Sequence, residues 1–178
     1  MKKDIELINL NLDDIELVRE WRNSDEVSRY MYSDNKISPE QQEEWFMSIK
    51  DRIDCKYWII HYENRKVGLA NLVDINQRLS SCYWAFYLGD TNIRGGGVGS
   101  KVEYNVLNYV FEKLKLNKLR CEVFVENKRV ISMHEKFGFR REAYYREHCL
   151  KNGKKLDVVG LAILKNEWKL SLIHISEP

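Results

Sequence analysis

The sequence predicts a mixed α+β domain in which helices flank a mainly antiparallel central sheet. Short stretches with strand character outnumber the helical ones, and several of them follow one another directly. Two tight turns, at Glu63–Arg65 and at Asn152-Gly153, predict hairpins and therefore antiparallel neighbours. Between these turns a strand, a long helix and another strand follow in succession, which predicts one central strand–helix–strand unit.

Strands are predicted where residues alternate or are rich in β-branched and aromatic side chains, and helices where apolar residues recur three or four positions apart. Strands are expected at Ile5–Leu10, Lys56–Tyr62, Lys66–Asp74, Cys82–Leu88, Leu119–Val125, Tyr144–Leu150 and Leu156–Leu164. Helices are expected at Asp13–Arg22, from Pro39 to about Lys50, at Val98–Leu114 and at Asn127–Phe137.

Local signals mark the ends of two helices. Ser38, followed by Pro39 and Gln41, is typical of a capping box with a proline at the first helical position. Asn127 is predicted to cap the last helix, and Gly138 to end it.

Length and composition restrict the function classes. The chain has 178 residues, and one domain is expected over residues 1–170. The net charge of +2 does not favour nucleic acid, and no apolar stretch approaches the roughly 20 residues of a membrane-spanning helix. Residues 171–178 continue no pattern and are expected to be a non-native cloning tail.

The cysteines indicate the compartment. The four of them lie far apart and form no C-x-x-C pair, so we expect reduced thiols in the core or strands rather than metal ligands or disulfides. The start of the chain lacks the apolar region of a secretory signal. A cytoplasmic protein without a bound metal is therefore expected.

The loop Arg94–Ser100, with the sequence RGGGVGS, separates a predicted strand from a predicted helix. Its glycines allow a sharp turn and a close approach of a ligand to the backbone. Successive N–H groups at the positive end of a helix bind anions. A pyrophosphate suits this arrangement.

Two familiar phosphate-binding patterns do not match this loop. A nucleotide-binding P-loop has lysine directly before its hydroxyl residue, whereas the order here is Gly99-Ser100-Lys101. A dinucleotide fingerprint needs a glycine five positions after its first glycine, and neither Gly95 nor Gly97 has one. A flexible turn without a ligand remains the alternative.

The R-G-x-G-x-G pattern at Arg94–Gly99, after an aromatic strand, resembles the coenzyme A loop of the GNAT acetyltransferase superfamily. The segment Asn127–Phe139 resembles the second signature of that superfamily, an asparagine followed by a helix that ends in (Tyr/His)-Glu-Lys-x-Gly-Phe. The resemblance implies the GNAT acyl-CoA N-acyltransferase fold, acetyl-CoA as cofactor and acetyl transfer to an amine.

Within the superfamily, Trp21–Asn23, Tyr30–Tyr32 and the helix start Ser38–Phe46 resemble the acetyltransferases of pseudaminic acid biosynthesis. The resemblance implies a UDP-linked acceptor, UDP-4-amino-4,6-dideoxy-N-acetyl-β-L-altrosamine, acetylated at its 4-amino group on the route to flagellin glycosylation. Ribosomal-protein alanine acetyltransferases and polyamine acetyltransferases share the general layout.

The resemblance also implies two catalytic roles. His134 occupies the position at which the family usually has a tyrosine that protonates the departing thiolate, and a histidine can donate a proton near neutral pH. Glu122 occupies the position of a glutamate that acts on the amine through a water. A surface histidine and a solvated strand carboxylate are the respective alternatives.

The remaining implied contacts belong to the cofactor and the acceptor. The resemblance implies that the oxyanion meets a backbone N–H of the Tyr87–Leu88 region, where the strands part around a bulge. The implied cofactor contacts are Tyr87, Leu88, Arg94, Gly95, Gly96, Gly97, Val98, Gly99, Ser100, Asn127 and Lys136, with Lys101 and Arg129 as further candidates for the ribose phosphate. The implied acceptor contacts are Arg22, Asn23, Tyr30, Met31, Tyr32 and Gln42, of which Arg22 suits a diphosphate.

Two other functions stay open. A protein N-terminus or a polyamine is the alternative acceptor, although a polyamine site favours clustered carboxylates, and acidic residues here are interspersed with basic ones. A catalytically silent acyl-CoA-binding module is the alternative of another class. The protein is expected to be a monomer or a homodimer.

Overall fold

A seven-stranded sheet organises the chain, in a computed structural model that describes residues 5–93 and 96–168. Its strands are β1 (Ile5–Asn9), β2 (Lys56–Tyr62), β3 (Arg65–Asn76), β4 (Ser81–Leu88), β5 (Lys118–Phe124), β6 (Arg140–Lys151) and β7 (Lys154–Leu164). The helices are α1 (Ile15–Asn23), α2 (Asp25–Ser28), α3 (Pro39–Ile49), α4 (Val98–Asn108) and α5 (Lys128–Lys136). The expected non-native tail, residues 171–178, lies outside the described residues.

The strand order is β1-β2-β3-β4-β5-β7-β6. Strands β4 and β5 run parallel and are joined by α4, while the other neighbouring pairs run antiparallel. The predicted α+β class and its central strand–helix–strand unit are confirmed.

Both predicted hairpin turns are present. Glu63 and Asn64 have φ angles of 49° and 61°, and Asn152 and Gly153 have φ angles of 48° and 74°. Two consecutive residues of positive φ form the tight turn that matches the twist of the flanking strands. The strand residues on either side of each turn pair directly.

Helical layers cover both faces of the sheet, as β2 shows. Trp58 and Ile60 belong to the core that includes α4, whereas the intervening Ile59 packs with Val18 and Trp21 of α1. Successive strand residues point to opposite faces. All three β2 residues are buried because each face has its own helices.

Two predicted elements differ from the structure. The helix expected at Val98–Leu114 is α-helical only to Asn108 and continues as a π-helical turn, Tyr109–Lys113. The N–H of Leu114 consequently bonds to the carbonyl of Tyr109, five residues back. Strand β6 begins at Arg140 rather than at Tyr144, because an exposed edge strand needs no apolar alternation.

Within the described residues, no helix combines the length and the apolar character needed to cross a membrane.

Candidate active site

A gap between β4 and β5 forms the framework of the site. The two strands pair over three positions, of which the last joins Tyr83 to Arg120. Beyond it, β4 stays paired with β3 as far as Leu88, and β5 stays paired with β7 as far as Phe124. The strands therefore diverge and leave one edge of β4 without a strand partner.

Tyr87 and Leu88 pair with β3 in regular register, and the register shifts after Val73. The bulge expected in this region follows Leu88 directly, since the N–H groups of Gly89 and Asp90 both bond to the carbonyl of Val67. The N–H of Gly89 bonds to the carbonyl of Val67 on β3, at 2.9 Å. N–H groups alternate in direction along an antiparallel strand. The N–H of Tyr87 therefore points toward β3, like that of Gly89, and the N–H of Leu88 points toward the gap.

A cavity of about 550 Å³ fills this gap. Its walls combine β4, β5, α5, the start of α4 and the α2 region. The predicted residues that line it are Tyr30, Met31, Tyr87, Leu88, Gly97, Val98, Gly99, Ser100, Glu122, Asn127, His134 and Lys136. Gly96, Arg22, Asn23, Tyr32 and Gln42 do not line it. Arg94 and Gly95 lie outside the described residues.

The start of α4 presents backbone N–H groups to the cavity. Gly97 precedes the helix with a φ of 70°, and a Cβ there would meet nothing within 4 Å. The N–H groups of the first helical turn, which includes Ser100, have no acceptor within the helix. Such a helix start, with unpaired N–H groups at the positive end of the dipole, favours an anion.

His134 and Glu103 form a buried pair behind the cavity. Nδ1 of His134 lies 2.6 Å from Oε1 of Glu103, and the two residues are 2% and 0% exposed. The imidazole packs against the rings of Trp84 and Phe139. Burial raises the pKa of Glu103, and the hydrogen bond with His134 opposes that rise in part. Since His134 also lines the cavity, the alternative of a solvated surface histidine is wrong.

Glu122 of β5 is exposed and accepts a hydrogen bond from Tyr32 at 2.5 Å. The Tyr32 ring packs edge-on against Phe124 and His148. Burial raises the pKa of Tyr32 above its usual range, and the hydrogen bond to Glu122 raises it further. Tyr32 therefore keeps its proton and remains a donor to the carboxylate.

Asn127 directly precedes α5, but its side chain makes no capping hydrogen bond. The predicted side-chain cap is therefore wrong, and the amide is available to a ligand in the cavity. Lys136 and Arg129 are exposed and line the cavity. Lys101 instead lies over the ring of Tyr62, at 5.4 Å from its centroid.

Arg22 lies beside the wall that carries Tyr87. Burial raises the pKa of Tyr87, and the positive charge of Arg22 opposes that rise. The hydrogen-bond partner of the guanidinium is the hydroxyl of Ser33, at 3.4 Å from Nη2. Its Nε is buried, and no described residue accepts from it. No ion pair joins it to a carboxylate of the described chain.

The amides of Asn23 and Gln42 have structural partners. Asn23 bonds to both the N–H and the carbonyl of Ile37, and Gln42, only 4% exposed, donates to the carbonyl of Ile15. These amides hold the backbone around α1 and α3 in place. Their predicted contact with the acceptor has no support in this geometry.

Several cavity residues had not been predicted: Glu26, Trp84, Phe86, Cys121, Val130, Ser132 and Met133. Alternation along the aromatic strand Cys82–Leu88 was a usable signal, because it places Trp84, Phe86 and Leu88 on one face. Glu103 had also been missed, although it lies at helical spacing from the buried Val106, Leu107 and Val110.

The chain is similar to known proteins in sequence and in fold. A family model described as acetyltransferase (GNAT) domain matches residues 4–140. Acetyltransferase PseH of Campylobacter jejuni is 26% identical over 130 residues, which cover 73% of this chain and 79% of that protein. Spermidine N(1)-acetyltransferase of Vibrio cholerae is 24% identical over 169 residues, which cover 94% of this chain and 97% of that protein.

Among solved structures, spermidine N-acetyltransferase from Vibrio cholerae, in complex with CoA and spermine, superimposes with a TM-score of 0.89. The identity is 22%, and the alignment covers 94% of this chain and 99% of that one. At this identity the likeness shows a shared fold.

Proposed function

We propose that this chain, which belongs to the GNAT acetyltransferase family, acetylates the amine of a nucleotide-linked amino sugar. Family membership confirms the predicted enzyme class, an acetyltransferase, and the predicted acetyl donor, acetyl-CoA. The chemistry of the acceptor and the roles of individual residues are the proposal. They rest on the cavity between β4 and β5 and on the charges around it.

Acetyl-CoA lies along the cavity with its pyrophosphate at the start of α4, where the N–H groups of Val98, Gly99 and Ser100 are unpaired within the helix. The unused amide of Asn127 bonds to the pantetheine arm. The cations Arg129 and Lys136 bind the ribose phosphate at the rim.

The reaction runs across the gap between the strands. Glu122 accepts a proton from the amine through a water, and the amine nitrogen bonds to the thioester carbon. The backbone N–H of Leu88 points toward the gap and stabilises the oxyanion. When the C–S bond breaks, His134 donates a proton to the coenzyme A thiolate.

The choice of acceptor rests on the charge of Arg22. Its side chain is half-buried beside the cavity wall, and no described carboxylate neutralises its charge. An unpaired guanidinium attracts a diphosphate bidentately and repels a polycation. A UDP-linked 4-amino-4,6-dideoxy sugar, as in the pseudaminic acid pathway that leads to flagellin glycosylation, satisfies this charge. Tyr30 and Met31 of the cavity wall contact the sugar.

A polyamine is the competing acceptor, and two observations favour it. The spermidine acetyltransferase of Vibrio cholerae matches nearly the whole chain. Two carboxylates, those of Glu26 and Glu122, line the cavity. The charge of Arg22 beside the cavity opposes a polycation, so its removal should affect the two acceptors in opposite directions.

The test is an acceptor screen in which free thiol is measured after addition of acetyl-CoA. The acceptors are a UDP-4-amino-4,6-dideoxy sugar, the same sugar without UDP, spermidine and a peptide with a free N-terminus. We expect the fastest release with the UDP-linked sugar. Faster release with spermidine would overturn the nucleotide-sugar proposal, and binding of acetyl-CoA without release would indicate a silent acyl-CoA-binding module.

We also propose a cytoplasmic location, because all four cysteines of the chain are free thiols.

A further inference from the structure

Glu103 is a carboxylate with no role in the reaction described above. It lies on α4 among the apolar side chains of Val102, Val106 and Leu107 and is fully buried with them. Its Oε1 contacts Nδ1 of His134, while Oε2 has no partner among the described residues. An apolar residue would fill this position without the cost of burying a polar group.

A buried pair of this kind contributes little to the stability of a fold, so a purely structural role does not explain it. Taking two ionisable groups out of water costs free energy that their mutual attraction recovers only in part. The Glu103 carboxylate recovers less of this free energy, because one of its oxygens lacks a hydrogen-bond donor. The contact therefore points to a function of His134 that requires a carboxylate at its Nδ1.

The number of protons in the pair determines what His134 can do. If the pair is neutral overall, either Glu103 is protonated and donates to Nδ1, or it is ionised and accepts from Nδ1. In both arrangements the second ring nitrogen, Nε2, carries a proton. The raised pKa of Glu103 favours this neutral pair over the anionic one.

Nε2 is the ring nitrogen left for the cavity. Glu103 occupies Nδ1, and the faces and edges of the ring contact Trp84 and Phe139. His134 nevertheless contributes to the cavity wall although it is only 2% exposed. A ring held by these three contacts has one orientation.

We propose that Glu103 is a positioning residue that holds His134 with a protonated Nε2 directed at the coenzyme A sulfur. The inference rests on the proposed role of His134 as the acid. In the step, the C–S bond breaks and its electron pair remains on sulfur. Nε2 transfers its proton to that sulfur, and the pair is left as a Glu103 carboxylate that accepts from Nδ1–H of a neutral imidazole.

Among the described residues, a thiol is a further titratable group near the pair. Cys121 of β5 is buried, and its pKa is raised by burial first and then by negative charge at Glu103 and Glu122. It stays protonated over the pH range of the reaction. From β4 and from the chain after α5, the neighbours of the imidazole are the uncharged Trp84 and Phe139.

The kinetic test compares the wild type, Glu103→Gln, His134→Phe and the double variant with the fastest acceptor of the screen. Glutamine has no carboxyl proton to place on Nδ1 when Nε2 gives up its own, so E103Q should lower kcat at pH 8 by about tenfold or more. The alkaline limb of the E103Q rate profile should move to lower pH. The KM for acetyl-CoA should change by less than about threefold. The double variant should be no slower than H134F, because both residues act in one step.

A matched control removes a carboxylate that is exposed on α3. Glu43→Gln is expected to leave kcat and the pH profile unchanged. An E103Q enzyme with the wild-type rate and profile would overturn the proposal. If H134F also keeps the wild-type rate, the assignment of His134 as the acid has failed instead, and if no acceptor releases thiol, the acceptor proposal has failed.

A second measurement needs neither an acceptor nor a folded E103Q. Nitrogen-15 NMR of the histidine rings in the wild type, assigned by comparison with H134F, reports which ring nitrogens carry protons. We expect Nε2 of His134 to be protonated at pH 7. An unprotonated Nε2 at that pH would contradict the proposal whatever the acceptor is.

Discussion

The hydroxyl of Tyr32 donates a hydrogen bond to Oε2 of Glu122 at 2.5 Å, across 90 residues of sequence. The loop around Tyr32 is held further by Lys151 of β6, whose Nζ donates to the carbonyls of Met31 and Ser33 at 2.8 Å. The proposed acceptor segment is thereby fixed to the proposed base. Its residues and Glu122 keep one relative position although they are far apart in the chain.

Replacing Tyr32 by phenylalanine removes this hydrogen bond and leaves the ring packing in place. We expect kcat/KM for the acceptor to fall by about threefold to tenfold, because Glu122 loses its orienting donor. Steady-state kinetics with varied acceptor measure the change. Tyr144→Phe is the matched control, since Tyr144 donates a similar hydrogen bond to Asp157 outside the cavity. Equal kinetics for wild type and Y32F would show that the contact is only structural.

Replacing Glu122 by glutamine keeps the shape of the side chain and removes the base. The rate should then rise less steeply with pH, because the amine must lose its proton without a carboxylate. The profile of kcat/KM between about pH 6 and pH 9 is the measurement. A profile that superimposes on the wild type would contradict the role of Glu122.

Replacing His134 by phenylalanine should lower kcat by about a hundredfold and change KM for acetyl-CoA by less than about threefold. The thiolate then leaves without a proton, while the phenyl ring still packs against Trp84 and Phe139. The substitution removes the hydrogen-bond partner of the buried Glu103, so circular dichroism must establish that the variant is folded. An unchanged turnover number in a folded variant would exclude His134 as the acid.

The pH dependence of stability follows from Glu103. Its pKa in the folded state is raised above the usual value of 4.5, mainly by burial. The folded state therefore binds more protons than the unfolded state, and this contribution is full below pH 4.5 and declines as the pH rises through the folded pKa.

Urea unfolding of wild type and E103Q at several pH values tests this sign. The free energy of unfolding of the wild type minus that of E103Q should decrease as the pH rises. A difference that increases with pH would mean that the carboxylate ionises more easily in the folded protein than in the unfolded chain.

Replacing Gly97 by alanine should destabilise the protein through the backbone. The residue has a φ of 70°, at which an L side chain costs about 1–2 kcal/mol, although a Cβ would meet nothing within 4 Å. We expect Tm to fall by about 2–8 °C. Gly96→Ala is the control, because its Cβ would make only ordinary contacts and its φ is outside the left-handed region. Equal melting temperatures for the two variants would contradict the backbone argument.

The local features of the site could be predicted from the sequence because each has a signal within a few residues. Consecutive turn residues at Glu63-Asn64 and Asn152-Gly153 determined both hairpins. Glycines before an apolar helical stripe marked the start of α4. The alternation of side chains along β4 places the cavity residues Trp84 and Phe86 on one face, although they were not identified from it.

The non-local features could not be predicted in this way. The residues of β4 and β5 do not by themselves indicate that the pairing of the two strands ends at Tyr83 and Arg120. The end of this pairing depends on the helices packed around the gap. The position of Glu103 on an apolar stripe suggests a buried carboxylate, but its partner lies on another helix, 31 residues away. Asn23 and Gln42 resembled acceptor contacts in sequence and have structural partners in the fold.

The most direct test of the proposed function is the ratio of kcat/KM for the UDP-linked 4-amino sugar to that for spermidine, in wild type and in Arg22→Met. Arg52→Met, which removes a guanidinium paired with Asp54 outside the cavity, is the control. We expect a wild-type ratio above one, a fall of about tenfold or more in R22M and no change in R52M. A ratio below one in the wild type, or a ratio that R22M leaves unchanged, would contradict acetylation of a nucleotide-linked amino sugar at this site.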